Sequence, residues 1–205
     1  NDIMTSVLPS NVHIEPPLTQ FLFPTHRVSF NNLDKWVDEE AKESSLKLTD
    51  IVDDIRIIIH GRVRQHRLEF KIDESLSLRC RRSQVERVLG NLLTNASDAI
   101  NDLPDELQSD AGDGLIRVSA ESRYESERDW VLIEIEDNGP GIPAESREKV
   151  LQPFMTTKTL HRGTGLGLFT ADSIIRENGG HMEIGDSEAL GGAKISLWFP
   201  VLGKG

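Results

Sequence analysis

The sequence has a single cysteine, no long apolar run and no excess of positive charge. Cys80 is the only cysteine among 205 residues, so an intrachain disulfide is excluded and a reducing compartment is expected. No apolar stretch approaches the roughly 18 residues that a membrane-spanning helix needs, and no secretory signal opens the chain. We therefore expect a cytoplasmic location. We also expect Cys80 to be a buried packing residue rather than a nucleophile.

The charge balance is acidic, with 34 Asp and Glu against 23 Lys and Arg, for a net charge of −11. Sequence-independent binding of nucleic acid works through clustered Lys and Arg, so no nucleic-acid partner is expected. The hydrophobic fraction of 37% and the charged fraction of 28% are ordinary for a globular chain. A phosphate-bearing ligand would have to be bound by local geometry, because the overall charge repels it.

The chain divides near residue 45. Four of the nine prolines fall in residues 1–44, and they exclude a continuous helix there. A short amphipathic segment, Leu33 to Lys42, follows these prolines. We interpret residues 1–44 as a linker or as the tail of an upstream domain, and residues 45–205 as one folded domain.

The second part of the chain alternates strand and helix patterns. Strands are predicted at Leu46–Leu48, Leu68–Ile72, Leu76–Cys80, Leu115–Ala120, Trp130–Glu136, Met182–Ile184 and Lys194–Phe199. Helices are predicted from Asp50 to about Gln65 with Thr49 as the cap, and at Gln84–Ile100, Pro143–Leu151 and Leu168–Asn178. Hairpins and crossovers are mixed. The pattern predicts a two-layer α/β sandwich, with a mixed, mostly antiparallel sheet and about three helices.

The helix Gln84–Ile100 carries a polar stripe beside a broad apolar side. At 100° per residue, the stripe comprises Gln84, Arg87, Asn91, Asn95 and Asp98. Such a stripe can simply be solvated. Asparagine is nevertheless a poor helix former, its amide oxygen is a suitable ligand for Mg²⁺, and its NH₂ group can donate to phosphate. Both interpretations stay open on this helix alone.

Asp137 to Pro143 reads Asp-Asn-Gly-Pro-Gly-Ile-Pro, directly after a strongly alternating strand. A string of this kind is often only a tight turn. Its functional interpretation is a carboxylate held at a strand end, where it can accept a hydrogen bond from the exocyclic amine of adenine. The two glycines would let the backbone approach the edge of the base closely.

Gly163 to Leu168 reads Gly-Thr-Gly-Leu-Gly-Leu and opens a helix. It is either a flexible loop or a phosphate cradle at a helix N-terminus, where free N–H groups and the helix dipole favour an anion. It is neither a Walker loop nor a dinucleotide fingerprint. The surrounding stretch from Pro153 to Gly167 contains Lys158 and Arg162 and no acidic residue.

In this order the motifs resemble the Bergerat ATP-binding fold of DNA gyrase, heat-shock chaperones, mismatch-repair ATPases and sensor histidine kinases. The likeness to the histidine kinase catalytic domain is close and covers about Ser45 to Leu202. Four segments of this sequence resemble the conserved motifs, called boxes, of that family. They are Asn91–Ala99 (N box), Asp137–Gly141 (G1 box), Pro153–Phe154 (F box) and Gly163–Gly167 (G2 box).

The resemblance implies an ATP·Mg²⁺ site. Asn95 would hold Mg²⁺, Asn91 would contact phosphate or metal, Asp137 would read adenine, and Met155 to Arg162 would form a lid from which Lys158 reaches the triphosphate. Asn91 and Lys158 would be the catalytic residues. The implied nucleotide contacts are Asn91, Asn95, Asp137, Gly139, Gly141, Ile142, Phe154, Thr157, Lys158, Gly163, Thr164, Gly165, Leu166 and Gly167.

Two departures from the family pattern bear on the activity. Ala193 stands where the family often has a threonine, so a hydroxyl contact is lost. The phosphoacceptor histidine box is not found; His13, for example, lies beside Pro16 and Pro17. The resemblance therefore implies transfer of the γ-phosphoryl group to a histidine on a separate dimerisation domain. Residues 1–44 would then be a linker or the tail of that upstream domain.

The same resemblance implies a downstream response regulator and a homodimer only in the full-length protein. It also implies a cytosolic location for this domain, either free or as the cytosolic part of a membrane-anchored sensor. Two alternatives remain: an ATP-hydrolysing conformational machine and a non-catalytic nucleotide-binding scaffold. Hydrolysing relatives carry a general-base glutamate at the position of Asn91, and an amide cannot take that proton. The sequence thus favours transfer over hydrolysis.

Overall fold

The computed structural model describes residues 44–63, 65–103, 114–155 and 165–201. Except for residue 44, the predicted linker therefore lies outside the described residues. In chain order the elements are β1 (Ser44–Lys47), α1 (Leu48–Val63), β2 (Arg67–Ile72), β3 (Ser77–Cys80), α2 (Arg82–Asn101), β4 (Leu115–Glu125), β5 (Arg128–Asp137), two 3-10 turns (Ala144–Ser146 and Lys149–Leu151), α3 (Gly167–Glu177), β6 (His181–Asp186) and β7 (Ala193–Pro200).

The main sheet has five strands in the order β2-β4-β5-β7-β6. The β2–β4 pair is parallel, and the other three pairs are antiparallel. β1 and β3 form a separate antiparallel pair. The predicted mixed, mostly antiparallel sheet is confirmed, and three α-helices are found among the described residues, matching the predicted number.

The core lies between the helices and one face of the main sheet. Alternate residues of β5, such as Val131, Ile133 and Ile135, point into it, as the period of a strand requires. Cys80 is fully buried there, as expected of a packing residue. Ile58 of α1 is 64% exposed, because the core takes only the stripe of this helix that includes Ile55.

The predicted boundary between the first strand and the first helix is wrong by two residues. Leu48 was assigned to the strand and Thr49 to the helix cap, yet the helix begins at Leu48. Leu48 is fully buried, and its N–H donates to the carbonyl of Leu76 over 3.1 Å. This tertiary contact fixes the start of the helix without a side-chain cap from Thr49.

The hairpin between β4 and β5 is tighter than predicted. The predicted strands end at Ala120 and resume at Trp130, which leaves nine mostly polar residues for the turn, but only Ser126 and Glu127 form it. Both have positive φ, 52° and 60°, as a two-residue turn that matches the strand twist requires. Polarity alone misled the prediction, because the strand ends beside this turn are solvent-exposed.

The predicted short helix from Pro143 to Leu151 is two separate 3-10 turns. Neither turn contains a fully buried residue, and Leu151 alone packs partly against the core, which is too little apolar contact to stabilise a continuous α-helix. The end of the next helix is as predicted: α3 stops at Glu177, and Gly179 has the left-handed φ of 74°.

Candidate functional site

Asp137 is the last residue of β5, and only 6% of it is exposed. Its Oδ1 atom accepts hydrogen bonds from the N–H groups of Gly139 at 2.9 Å and Ala193 at 3.2 Å. Burial raises the pKa of this carboxyl above its usual range, and the two N–H bonds act in the opposite direction. Among the described residues both bonds fall on Oδ1, so Oδ2 is the oxygen left to accept from a ligand.

Glycines let the backbone close around Asp137. A Cβ on Gly139 would lie 2.9 Å from Oδ1, and a Cβ on Gly192 would lie 2.4 Å from the Asp137 carbonyl oxygen and 2.5 Å from Oδ1. Gly141 has a φ of 74°, a conformation that glycine adopts without strain. Gly139 thus lies close to the Asp137 carboxylate, and its approach to the edge of the base stays a prediction; Gly192 is not among the predicted site residues.

Further polar contacts hold the segment that follows Asp137. Asn138 exchanges two hydrogen bonds with the start of β4: its Oδ1 accepts from Leu115 N at 2.7 Å, and its N–H donates to Leu115 O at 3.2 Å. The Arg147 Nε donates to the Ile142 carbonyl over 3.0 Å. Sequence reasoning missed Asn138, Arg147 and the Ala193 N–H, because their partners are distant or belong to the backbone.

The polar stripe of α2 faces the beginning of α3. Asn91 Nδ2 lies 3.4 Å from the Gly167 carbonyl oxygen, at the limit of a hydrogen bond. A Cβ on Gly167 would lie 3.2 Å from Asn95 Nδ2, so the Asn95 amide packs closely on the first residue of α3. Both asparagines are half-buried. The stripe is therefore an interhelical contact as well as a polar surface, which argues against simple solvation.

The two sides of the predicted lid meet at the same place. Phe154 has a φ of 65°, uncommon for a residue with a side chain, and is 75% exposed. Gly165 has a φ of 64°, and a Cβ there would lie 2.5 Å from the Phe154 carbonyl carbon and 2.8 Å from Met155 N. Leu166 occupies the N-cap position of α3 and makes no side-chain capping hydrogen bond.

Several predicted contacts lie outside the described residues. These are Thr157, Lys158, Arg162, Gly163 and Thr164. The structure therefore describes the adenine half of the predicted site, together with the two asparagines and the start of α3, but not the lid.

The family model of histidine kinase-, DNA gyrase B- and HSP90-like ATPases matches residues 80–203. The chain belongs to this family. The match includes α2, Asp137 and the start of α3, the three places where the polar residues converge. The family and the fold predicted from the motifs are therefore confirmed, and the chain contains a histidine kinase-like ATPase domain.

Sensor kinases are among the similar proteins. The sensor kinase CckA of Brucella abortus is 37% identical over 169 residues, covering 77% of this chain and 17% of that protein. The nitrogen regulation protein NtrY of Azorhizobium caulinodans is 39% identical over 127 residues, covering 62% of this chain and 15% of that protein. This histidine kinase-like ATPase domain thus spans less than a fifth of the length of these two relatives.

Solved histidine kinase domains share the fold. The catalytic domain of the histidine kinase ThkA is 27% identical, with a TM-score of 0.59, over 78% of this chain and 95% of that domain. The mycobacterial sensor histidine kinase MprB has a TM-score of 0.61 at 22% identity, over 77% of this chain and 97% of the other. None of the helices among the described residues is long and apolar enough to cross a membrane.

Proposed function

We propose that this ATPase domain binds ATP with Mg²⁺ and transfers the γ-phosphoryl group to a histidine on a dimerisation domain. The observation that carries the proposal is the placement of Asp137. It is a buried carboxylate at a strand end, with one oxygen held by two backbone N–H groups and the other left to accept. The exocyclic amine of adenine is a donor that suits this oxygen.

The phosphate end of the nucleotide would lie where α2 meets α3. The side-chain amides of Asn91 and Asn95 lie beside Gly167, the first residue of α3. The N–H groups in the first turn of a helix favour binding of an anion. Mg²⁺ held beside these side-chain amides would supply positive charge that offsets the charge of the phosphates. We assign Asn95 as its ligand, Asn91 as a contact to phosphate or metal, and Lys158 as the cation that orients the triphosphate.

The remaining assignments rest on the family motifs. Ile142 and Gly141 would border the base, and Phe154, Thr157 and the Gly163–Gly167 segment would cover the phosphates. Transfer is favoured over hydrolysis because Asn91 cannot act as a general base toward water. The acceptor domain, a response regulator downstream and a homodimer of the full-length protein would complete a cytosolic two-component system.

Asn95→Ala is expected to weaken ADP binding more with Mg²⁺ than without it, because the lost group is a metal ligand. The Mg²⁺-dependent part of the affinity should fall about tenfold, the size of one lost interaction with a charged partner. Calorimetric titration with ADP in Mg²⁺ and in excess chelator measures both values. Asn101→Ala is the control, since Asn101 ends the same helix and bonds Gln65. Equal losses in both buffers would remove Asn95 from the metal site.

Incubation with γ-labelled ATP tests the transfer itself. The chain alone should neither label itself nor release phosphate quickly, whereas an added dimerisation domain from a sensor kinase should gain acid-labile label. Label that is lost in acid but kept in alkali indicates a phosphohistidine, because phosphoserine and phosphothreonine survive acid and acyl phosphates are lost in alkali.

Two outcomes would contradict transfer to an external acceptor. Stable labelling of His13 or His60 in this chain would place the acceptor within it. Rapid phosphate release without any acceptor would instead support the hydrolysing alternative, and absence of both label and release in all mixtures would support the scaffold.

A further inference from the structure

Two loops meet at the Oδ1 side of the Asp137 carboxylate. The β5 exit loop (residues 138–143) follows Asp137, and the β6–β7 loop (residues 187–192) ends at Ala193. The β6–β7 loop is closed on itself, because Ser187 N donates to Gly192 O over 2.8 Å and Gly191 N donates to Ser187 O over 2.7 Å. The Ala193–Asp137 bond, at 3.2 Å, links this loop to the end of β5.

Arg147 makes a second link between the same two loops. Its Nε donates to the Ile142 carbonyl in the β5 exit loop, and its NH2 group donates to Asp186 Oδ1 over 2.6 Å. Asp186 is the last residue of β6 and directly precedes the β6–β7 loop. The Arg147 side chain is 25% exposed, so this link lies near the surface, outside the Asp137 contact.

The two-sided link needs an arginine. A guanidinium presents Nε and NH2 donors in one rigid plane, so it can bond a carbonyl and a carboxylate together, whereas an ammonium is a single point of charge on a flexible stem. Asp186 is 70% exposed, and an ion pair in such a place adds little to folding stability. Loss of the link should therefore alter the spacing of the loops and leave the fold intact.

We propose that Arg147 is a positioning residue for recognition of the adenine base. By tying Ile142 to Asp186 it fixes the distance between the two loops, and hence the place of the Asp137 carboxylate relative to the base. This inference rests on the proposed function, in which Asp137 accepts from the adenine amine. Arg147 itself touches no nucleotide in this role.

The test compares ADP with inosine diphosphate, which has a carbonyl in place of the adenine amine. In Arg147→Lys, ADP affinity should fall about fivefold to tenfold, the size of one misplaced hydrogen bond, whereas inosine diphosphate affinity should stay within about twofold. Asp186→Ala, which removes the acceptor, should reproduce the effect, and the double variant should add nothing further, because each change removes one side of the same link. Arg123→Lys is the matched control, since Arg123 pairs with Glu121 on the distant β4–β5 hairpin.

Thermal melting of each variant separates positioning from folding. An unchanged preference for ADP in Arg147→Lys and in Asp186→Ala would overturn the inference, as would equal losses for both nucleotides. If Arg147→Lys fails to fold, Asp186→Ala decides alone. Absence of ADP binding to the unaltered chain would instead overturn the proposed function. Binding that Asp137→Asn weakens and both link variants leave intact would overturn only the role of Arg147.

Discussion

Replacing Asp137 with asparagine is expected to weaken ADP binding by about tenfold to a hundredfold, which corresponds to the loss and mismatch of one hydrogen bond. In the structure Oδ1 already accepts from the N–H groups of Gly139 and Ala193. An asparagine would turn its only oxygen toward these two donors. Its NH₂ group would then face the adenine amine, and two donors would oppose each other in a buried site.

The same geometry predicts a change in base preference. Inosine diphosphate presents a carbonyl acceptor where adenine has its amine, so Asp137→Asn should bind it better than the unaltered chain does. Calorimetric titration with both nucleotides measures the two affinities. Asp129→Asn serves as the control, because Asp129 is exposed on the β4–β5 hairpin. Unchanged ADP affinity in Asp137→Asn would exclude Asp137 from the base site.

Replacing Gly192 with alanine is expected to abolish measurable ADP binding. The added methyl group would lie 2.4 Å from the Asp137 carbonyl oxygen, 2.5 Å from its Oδ1 and 2.7 Å from Gly139 N. Two of these atoms are backbone and cannot rotate away, so the β6–β7 loop must move and take the Ala193 N–H with it. Overpacking of this kind also lowers the free energy of unfolding by about 1–3 kcal/mol.

Gly185→Ala is the matched control for this change. Gly185 lies in β6, seven residues before Gly192, and no heavy atom lies within 4 Å of the position that its Cβ would take. It should bind ADP normally and melt close to the unaltered chain. Normal ADP affinity in Gly192→Ala would show that the β6–β7 loop forms no part of the site.

The type and order of most elements follow from the sequence alone, because the periods of helices and strands are local properties of the chain. The polar stripe on α2 and the strand that ends at Asp137 were both predicted from a few adjacent residues. The four boxes in their order also identified the family, which the match over residues 80–203 confirms. The assigned roles of the individual site residues stay predictions, to be decided by the measurements above.

Which groups surround Asp137 depends on tertiary contacts between residues that are distant along the chain. The Ala193 N–H lies 56 residues away along the chain, and the Asp186 that Arg147 binds is 39 residues from it. In the sequence, Ala193 stands only for the loss of a threonine hydroxyl. In the structure, the backbone N–H of Ala193 donates a hydrogen bond to the Asp137 carboxylate. Contacts between distant residues depend on how strands pair and how loops return, and neither is encoded in the local periodicity from which elements are predicted.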